Sequence, residues 1–340
     1  MSPPTDVPTL FQGSPRLGLS QQLQSYMASA ATYMRKGLSK ATIKSYDSAW
    51  AHYSQFCSHF SVSTLPVNIP FLCAYIVHCH ERRAMSASSI NGQLAGIQFH
   101  LRCHDPSINM LRTPAIRLLL DGIKKGSVNQ RDKRLPFTLP LLCDLITHLR
   151  RGHFGIYIDT LLEAVFFTAF YGFLRCGEFT STSGDFNPSL DLTLGDLVMH
   201  ETHFTIFLKH SKADRVGDGV SVCIARTDTP FCPCTSMSRY LKWRPHAKPD
   251  EPLFLTPEGR AMNRHWFAIR LRKICVQLNL PPDRYTPHSF RIGAATTASA
   301  VVSQGTLQKM GRWHSSAYTR YLRPDVSDVL AAQRSMESSK

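Results

Sequence analysis

Residues 286–291 have the sequence Thr-Pro-His-Ser-Phe-Arg, and this short stretch carries the strongest local signal in the chain. Thr286 can cap a helix and Pro287 suits the first helical position, so a helix is predicted to begin here. His288 and Arg291 are then three residues apart on one face of its first turn. Two such side chains, with the N–H groups of a helix N-terminus, form a good phosphate site. Alone, the pattern is also typical of an exposed His and Arg on a surface helix.

Basic residues elsewhere in the chain strengthen the phosphate interpretation. Arg175 follows a strongly apolar segment, and Glu178, three residues further on, could hold its guanidinium group. Lys212 lies in the run Ser-Lys-Ala-Asp, where a predicted β-strand ends. Late in the chain come Gly-Arg-Trp-His at 311–314 and Tyr-Thr-Arg-Tyr at 318–321.

The composition favours a folded protein with a polyanionic partner. The chain has 340 residues, of which 39 are Lys or Arg and 24 are Asp or Glu, giving a net charge of +15. Since 43% of the residues are hydrophobic, a core can form, and the excess positive charge indicates nucleic acid before acidic lipid. The longest apolar stretch, 164–174, is too short to span a bilayer, so no membrane partner is expected. The N-terminus lacks the apolar region of a secretory signal, and the ten cysteines are expected to be free thiols in a reducing compartment.

The pattern of apolar residues predicts a mainly α fold with a small antiparallel β-sheet. Residues 1–18 are expected to form a flexible tail, 19–127 a helical domain, 128–136 a basic linker and 137–340 a second domain. Ser39 is the expected N-cap of one helix, and Thr113-Pro114 the start of another. Apolar residues recur at helical spacing in three runs of the first domain: Ile43, Tyr46, Trp50, Tyr53, Cys57 and Phe60; Ile90, Leu94, Ile97 and Leu101; Ile116, Leu119, Leu120 and Ile123.

The second domain is predicted to combine helices with a hairpin. Helices are expected near 139–151 and 157–173, and again from about 261 to the end. Alternating apolar residues from Phe204 to Leu208 and from Val220 to Ile224 indicate two paired strands, with a third strand near Leu197.

Cys232-Pro-Cys234 is the only closely spaced pair of cysteines. No companion Cys-x-x-Cys or His-x-x-x-His motif accompanies it, so a turn with two incidental thiols is favoured over half of a zinc site. No metal site is predicted.

In order and context, these residues resemble the tyrosine recombinase (phage-integrase) family, and most closely the Crypton and DIRS-type recombinases of eukaryotic mobile elements. The match covers roughly residues 20–335. The resemblance implies a helical, SAM-like core-binding domain and an α+β tyrosine-recombinase catalytic domain, which together form a C-shaped DNA clamp.

The resemblance also implies a catalytic set of Arg, Lys, His-x-x-Arg, His or Trp, and Tyr. Lys212 matches the lysine better than Lys209, because Ser-Lys-small-Asp at a turn is the family pattern and Lys209 fits a solvent-facing strand residue. Tyr321 is favoured as the nucleophile over Tyr318, which is expected to pack one helical turn away. The catalytic candidates are Arg175, Lys212, His288, Arg291, Trp313, His314 and Tyr321, with Glu178 in support.

The His-or-Trp position of this set has two candidates. Trp313 follows Gly311-Arg312 as in the Gly-x-Trp of relatives that use tryptophan, whereas His314 is adjacent and chemically able to act. The interval to Tyr321 is one residue shorter than in Cre-type enzymes. Trp313 is favoured.

The activity implied is cleavage and rejoining of double-stranded DNA through a 3′-phosphotyrosine intermediate, without a metal or other cofactor, in site-specific recombination or in the integration or excision of a mobile element. A homo-tetramer on DNA, a monomer when free and a nuclear location are expected. The predicted DNA-binding residues are Lys40 and Lys44 in the first domain and Arg131, Lys133 and Arg134 in the linker.

Two other functions fit the same motifs. The chain could be a domesticated, catalytically silent DNA-binding protein, or it could relax DNA as type IB topoisomerases do. A helix over 325–336 could dock into a neighbouring protomer, as in the family, or pack on its own domain.

Overall fold

The computed structural model describes residues 21–104, 109–126, 133–181, 186–210, 217–245 and 248–322. The chain divides into two compact units, Met1–Arg131 and Asp132–Lys340. The predicted tail, residues 128–132 of the predicted linker and the predicted helix over 325–336 lie outside the described residues. No helix in the described ranges is long and apolar enough to cross a membrane.

The described part of the first unit is helical, as the periodicity predicts. Ser39 caps the second helix, since its hydroxyl accepts a hydrogen bond of 3.1 Å from the Thr42 N–H, and Pro114 is the first residue of the fifth helix. Both starts confirm the sequence predictions. The elements are α1 (Gln21–Lys36), α2 (Lys40–His59), α3 (Ile69–Glu81), α4 (Ala87–His104), a 3₁₀ turn (Met110–Arg112) and α5 (Pro114–Gly126).

The core of this unit lies between α2, α3, α4 and α5. Ile90, Leu94, Ile97 and Leu101 of α4 are all completely buried, as their spacing predicts. Phe60 departs from the predicted stripe, since 57% of its surface is exposed. The reason is that α2 ends at His59 and Phe60 is its C-cap, so the helical periodicity no longer sets the direction of its side chain.

The second unit joins helices to a three-stranded antiparallel sheet, confirming the predicted fold class. Its helices are α6 (Leu139–Arg150), α7 (Ile156–Tyr171), α8 (Cys176–Phe179), α9 (Pro233–Trp243), α10 (Arg264–Gln277), α11 (Ser289–Ser299) and α12 (Gln304–Gly311), with 3₁₀ turns at Leu194–Asp196 and Ser316–Tyr321. Its strands are β1 (Leu197–Met199), β2 (His203–Leu208) and β3 (Val220–Ala225).

The sheet has the order β1-β2-β3, and β1 is the third strand predicted near Leu197. Phe204 pairs with Ile224, and Ile206 pairs with Val222. These four side chains are buried on one face, because alternate residues of a strand point to the same side. The hairpin that the alternation in the sequence predicts is therefore confirmed.

Helix α7 is the centre of the second unit. Every residue from Asp159 to Phe170 is buried, and the helix packs against α6, α9 and α11. Most of these residues are apolar, and a helix that is mainly apolar around its whole circumference is surrounded by other elements. Its C-terminal end, followed by Gly172 and Phe173, consequently has a fixed position in the core.

The segment just before α6 is bound to the loop that precedes α11 and to the first residue of α11. The Leu135 N–H donates to the Arg284 carbonyl at 2.8 Å, and the Phe137 N–H donates to the Ser289 carbonyl at 3.1 Å. Gly293 of α11 lies directly against this segment, where a Cβ atom would come within 1.7 Å of the Phe137 carbonyl oxygen. Only glycine allows this approach, which fixes the position of α11.

We expect Gly293→Ala to destabilise the protein by about 3 kcal/mol, because the added methyl group must displace a buried backbone carbonyl. The free energy of unfolding, measured by urea denaturation, tests this. Gly305→Ala in α12 is the matched control, since a Cβ there meets nothing within 4 Å. Equal stability of the two variants would contradict the close approach.

Candidate active site

Arg175 is placed by the sharp end of α7. Phe173 adopts a left-handed conformation (φ 50°), which turns the chain so that Arg175 lies at the start of α8. Its side chain donates to Glu178 Oε1 at 2.8 Å, and its backbone N–H donates to Glu178 Oε2 at 2.9 Å. The carboxylate that the sequence indicated as a support for Arg175 therefore contacts it directly.

A second arginine, Arg312, reaches the same carboxylate. It lies just after α12, and its Nη2 donates to Glu178 Oε2 at 2.9 Å. Glu178 is buried, and burial alone would raise the pKa of its carboxyl group; the charges of Arg312 and Arg175 and the Arg175 N–H outweigh this and lower that pKa. Arg312 is not among the site residues predicted from the sequence, where its one signal was its place beside Trp313.

Arg291 projects from α11 and is completely buried. Its Nη2 donates to the Gly311 carbonyl at 2.6 Å and its Nη1 to the Phe173 carbonyl. Burial, followed by the charges of Arg175 and Arg312, lowers the pKa of the Arg291 guanidinium to about 10. Three guanidinium groups, those of Arg175, Arg291 and Arg312, are therefore close enough to act on one another.

Tyr321 lies among three of the predicted site residues. Its ring centroid is 5.3 Å from that of His288 and 5.3 Å from that of Trp313. Arg291 Cζ is 4.6 Å from the Trp313 ring centroid and 5.6 Å from the Tyr321 ring centroid. The Thr296 hydroxyl of α11 holds the backbone at Tyr321 in place by donating to the Tyr321 carbonyl at 3.1 Å. Residues far apart in sequence thus meet at one place.

The two tyrosines differ in their surroundings. Tyr318 is buried in the core of the unit, with its ring centroid 6.1 Å from that of Trp313, whereas Tyr321 is half-buried. This is the packing position expected for Tyr318.

Trp313 and His314 also differ in how far they are buried. Trp313 is buried among the site residues, and its Nε1 has no hydrogen-bond partner among the described residues. His314 is exposed. The structure brings Trp313, and not His314, against Tyr321.

Of the two lysine candidates, Lys212 lies outside the described residues. Lys209 was expected to be a solvent-facing strand residue, and that expectation is wrong. Its Nζ donates to the Asp191 carbonyl and the Thr193 hydroxyl, both at 3.2 Å, and forms an ion pair with Asp196. Because β2 ends at Leu208, Lys209 turns back onto the 3₁₀ turn that precedes β1.

The start of α11 also differs from the prediction. The helix begins at Ser289, preceded by a turn at 287–288, so Pro287 is not its first residue. The Thr286 hydroxyl does not cap the helix; instead, the Thr286 N–H donates to the Ser289 hydroxyl at 2.9 Å. This local bond favours a turn, and His288 becomes the N-cap residue.

The predicted DNA-binding residues fall in different parts of the chain. Lys44 and Lys133 are exposed, and Arg134 is half-buried. Lys40 is the first residue of α2, and Arg131 lies outside the described residues.

The described residues hold no group of three or more His, Cys, Asp or Glu side chains arranged to bind a metal ion. Cys232 and Cys234 are free and buried at the start of α9. Burial opposes ionisation of Cys232, but nearby N–H donors, beginning with that of Thr227, outweigh it and lower its pKa to about 7.

No family model matches the chain. A search of curated proteins finds an integrase/recombinase xerD homolog of Selenomonas ruminantium, which is 24% identical over 287 residues and is aligned over 78% of this chain and 76% of its own length.

Solved structures with a similar fold are also recombinases and integrases. They include the XerH site-specific recombinase bound to a palindromic difH substrate (TM-score 0.59, 13% identity, 84% of this chain and 76% of that one). Lambda integrase, as a dimer bound to a COC′ core site, has a TM-score of 0.55 at 14% identity, covering 92% and 83% of the two chains. The Tn1549 transposon integrase, in complex with circular intermediate DNA, has a TM-score of 0.52 at 14% identity, covering 96% and 98%. The chain therefore has the tyrosine-recombinase fold.

The burial and pairing of Glu178 predict a pH-dependent contribution to stability. Because its pKa is lowered in the folded state, its contribution is present above the ordinary carboxyl pKa of about 4.3 and is lost as the pH falls through the lowered value. We expect Glu178→Gln to be less stable than the wild type at pH 7 by about 3 kcal/mol, since two guanidinium groups lose their carboxylate.

This difference in stability should shrink once the pH falls below about 4. Urea denaturation midpoints of wild type and variant across this range give the measurement. Glu201→Gln, at an exposed position, is the control and should match the wild type throughout. A Glu178→Gln defect that stays the same at all pH values would contradict the lowered pKa.

Proposed function

We propose that the chain belongs to the tyrosine recombinase family and that it cleaves and rejoins DNA through a covalent 3′-phosphotyrosine at Tyr321. One observation carries the proposal: Tyr321 lies beside Arg291, and the charge of Arg291 lies close to those of Arg175 and Arg312, which share the carboxylate of Glu178. The resemblance of the motifs and the recombinase and integrase relatives support it.

The charge of this cluster suits a phosphodiester under attack by a nucleophile. Three guanidinium groups against the one carboxylate of Glu178 leave two formal positive charges. When a nucleophile attacks a phosphodiester, negative charge grows on the non-bridging oxygens. Fixed guanidinium groups in a buried place stabilise that charge more strongly than water does. In this proposal Arg175 and Arg291 contact those oxygens, and the indole N–H of Trp313 adds a further donor.

The proton transfers are assigned to His288, from its place beside the Tyr321 ring, and to Lys212, from the resemblance to the family. A phenol has an ordinary pKa of about 10 and is mostly protonated at neutral pH, so it needs a base. His288, next to the Tyr321 ring, accepts the phenolic proton as the Tyr321 oxygen forms its bond to phosphorus. The bond from phosphorus to the 5′-oxygen breaks, and Lys212 gives that oxygen a proton. Rejoining reverses these steps with the 5′-hydroxyl of a partner strand, so the reaction needs no metal or other cofactor.

The DNA partner, the genetic context, the cellular location and the oligomeric state belong to the same proposal. A net charge of +15 suits a chain that binds double-stranded DNA along its backbone. The resemblance to Crypton and DIRS-type recombinases points to a mobile element, to action in the nucleus and to a tetramer assembled on two DNA sites.

The experiment uses a library of DNA duplexes with one 5′-bridging phosphorothiolate flanked by randomised base pairs. Cleavage there releases a 5′-thiol, a poor nucleophile for rejoining, so the protein stays covalently attached to the cleaved strand. We expect the wild type to form such adducts in excess EDTA, and sequencing of the trapped DNA to give the preferred site.

Tyr321→Phe should bind the selected DNA with unchanged affinity and form no adduct, because the attacking oxygen is missing. Denaturing gels measure the adduct and mobility shifts measure binding. Tyr318→Phe is the matched control one helical turn away and should still form the adduct. The reverse result would move the nucleophile to Tyr318, and binding by the wild type without any adduct would indicate a catalytically silent DNA-binding protein.

Lys212→Ala should slow cleavage of ordinary DNA by about 10²–10⁴-fold, the range of general acid–base catalysis. It should recover most of its rate on the phosphorothiolate, since a thiolate leaves without a proton. Single-turnover rates on nicked duplexes of both kinds give the comparison.

Arg175→Ala is the control for this experiment. It should be slow on both substrates, because the charge on the non-bridging oxygens is the same in each. If Lys212→Ala is equally slow on both substrates, then Lys212 binds phosphate without donating the proton.

A further inference from the structure

Arg312 has an unusual backbone conformation for its residue type. It is the C-cap of α12, with φ 55° and ψ 46°, in the left-handed region. Helices often end in this conformation, but glycine or asparagine usually occupies the position. A residue with a larger side chain pays about 1–2 kcal/mol of steric strain there. The contacts of the arginine side chain can offset this cost.

That side chain joins the chain segment before Arg175 to Glu178. Nη1 donates to the Gly172 carbonyl at 3.0 Å, and Nη2 donates to the Phe173 carbonyl at 3.3 Å and to Glu178 Oε2 at 2.9 Å. Only 11% of the side chain is exposed. The planar guanidinium group reaches a carboxylate and two carbonyl oxygens at once.

We propose that Arg312 is a positioning residue that orients Arg175 for the scissile phosphate by holding Glu178, an inference that rests on the proposed function. Glu178 Oε2 accepts from both Arg312 and the Arg175 N–H, while Oε1 accepts from the Arg175 side chain. With Arg312 in place, the carboxylate cannot rotate. Its other oxygen then points the Arg175 guanidinium in one direction.

The geometry favours this role over direct contact with DNA. Arg291 lies against the nucleophile candidate, with its Cζ 5.6 Å from the Tyr321 ring centroid, whereas the guanidinium group of Arg312 donates to the Gly172 carbonyl and to the Glu178 carboxylate. Gly311, just before it, has no room for a Cβ atom, which would overlap the Trp313 ring at 1.8 Å. The Gly-Arg-Trp run thus places Trp313 against Tyr321 and Arg312 against Glu178.

A double-mutant cycle on the selected DNA site tests the inference. Arg312→Ala and Glu178→Gln should each slow single-turnover adduct formation by about 10–100-fold, as expected when a catalytic group is slightly misplaced. If Arg312 acts through Glu178, the double variant should be no slower than Glu178→Gln alone. Arg312→Lys should not restore the rate, because one ammonium group cannot span the three acceptors. DNA affinity should be unchanged throughout.

The chain offers a matched control for a purely structural effect. Arg150 donates to both oxygens of buried Glu163 and to the Pro230 carbonyl, and Arg239 shares that carboxylate. Arg150→Ala should lower the unfolding temperature as Arg312→Ala does, and yet leave the rate of adduct formation unchanged. Should Glu178→Gln fail to fold, Glu178→Asp, which keeps the charge on a shorter side chain, takes its place in the cycle.

The outcomes separate the two proposals. Rate losses that multiply in the double variant would show Arg312 acting independently of Glu178, and would overturn the inference while leaving the proposed function intact. An equal loss of rate in Arg150→Ala would also overturn it, by showing that lost stability explains the effect. Absence of any adduct from the wild type would overturn the proposed function and this inference with it.

Discussion

The buried carboxylate of Glu178 determines the arrangement of the candidate site. It lies where the end of α7, the start of α8 and the end of α12 meet, and it forms ion pairs with Arg175 and Arg312. A buried carboxylate without cationic partners would be strongly destabilising, and buried guanidinium groups without an anion would be too. Each side therefore requires the other, and the three chain segments that carry them are held together.

The large-scale fold was predictable because it follows from the periodicity of apolar residues. Ile90 and its partners in α4 repeat at helical spacing, and the residues of β2 alternate, so burial follows from short-range pattern alone. The meeting of Arg175, Arg291, Trp313 and Tyr321 was predictable only from the resemblance to a family. Local pattern contains no information on which distant residues meet.

The parts that the sequence did not predict all depend on contacts between distant segments or on backbone geometry. In the sequence, Lys209 continues the alternation of β2, but its ion pair with Asp196 forms because β2 lies beside the turn that precedes β1. Arg312 contacts Glu178 only because the chain leaves α12 in a left-handed conformation. Helix α11 starts at Ser289 because the Ser289 hydroxyl accepts a hydrogen bond from the Thr286 N–H and favours a turn there. The rule that a proline marks the first helical residue does not include such a bond and places the start at Pro287.

The hydrogen bonds of Arg291 have a consequence for how the site responds to charge. Its guanidinium group donates to the carbonyls of Phe173 and Gly311, which immediately precede the segments carrying Arg175 and Trp313. A cation solvated by water must wait for the surrounding dipoles to rotate when a new charge appears. Here the dipoles around the cation are peptide groups fixed by α7 and α12, so very little reorganisation energy remains to be supplied during a reaction. The folding of the chain has already supplied it.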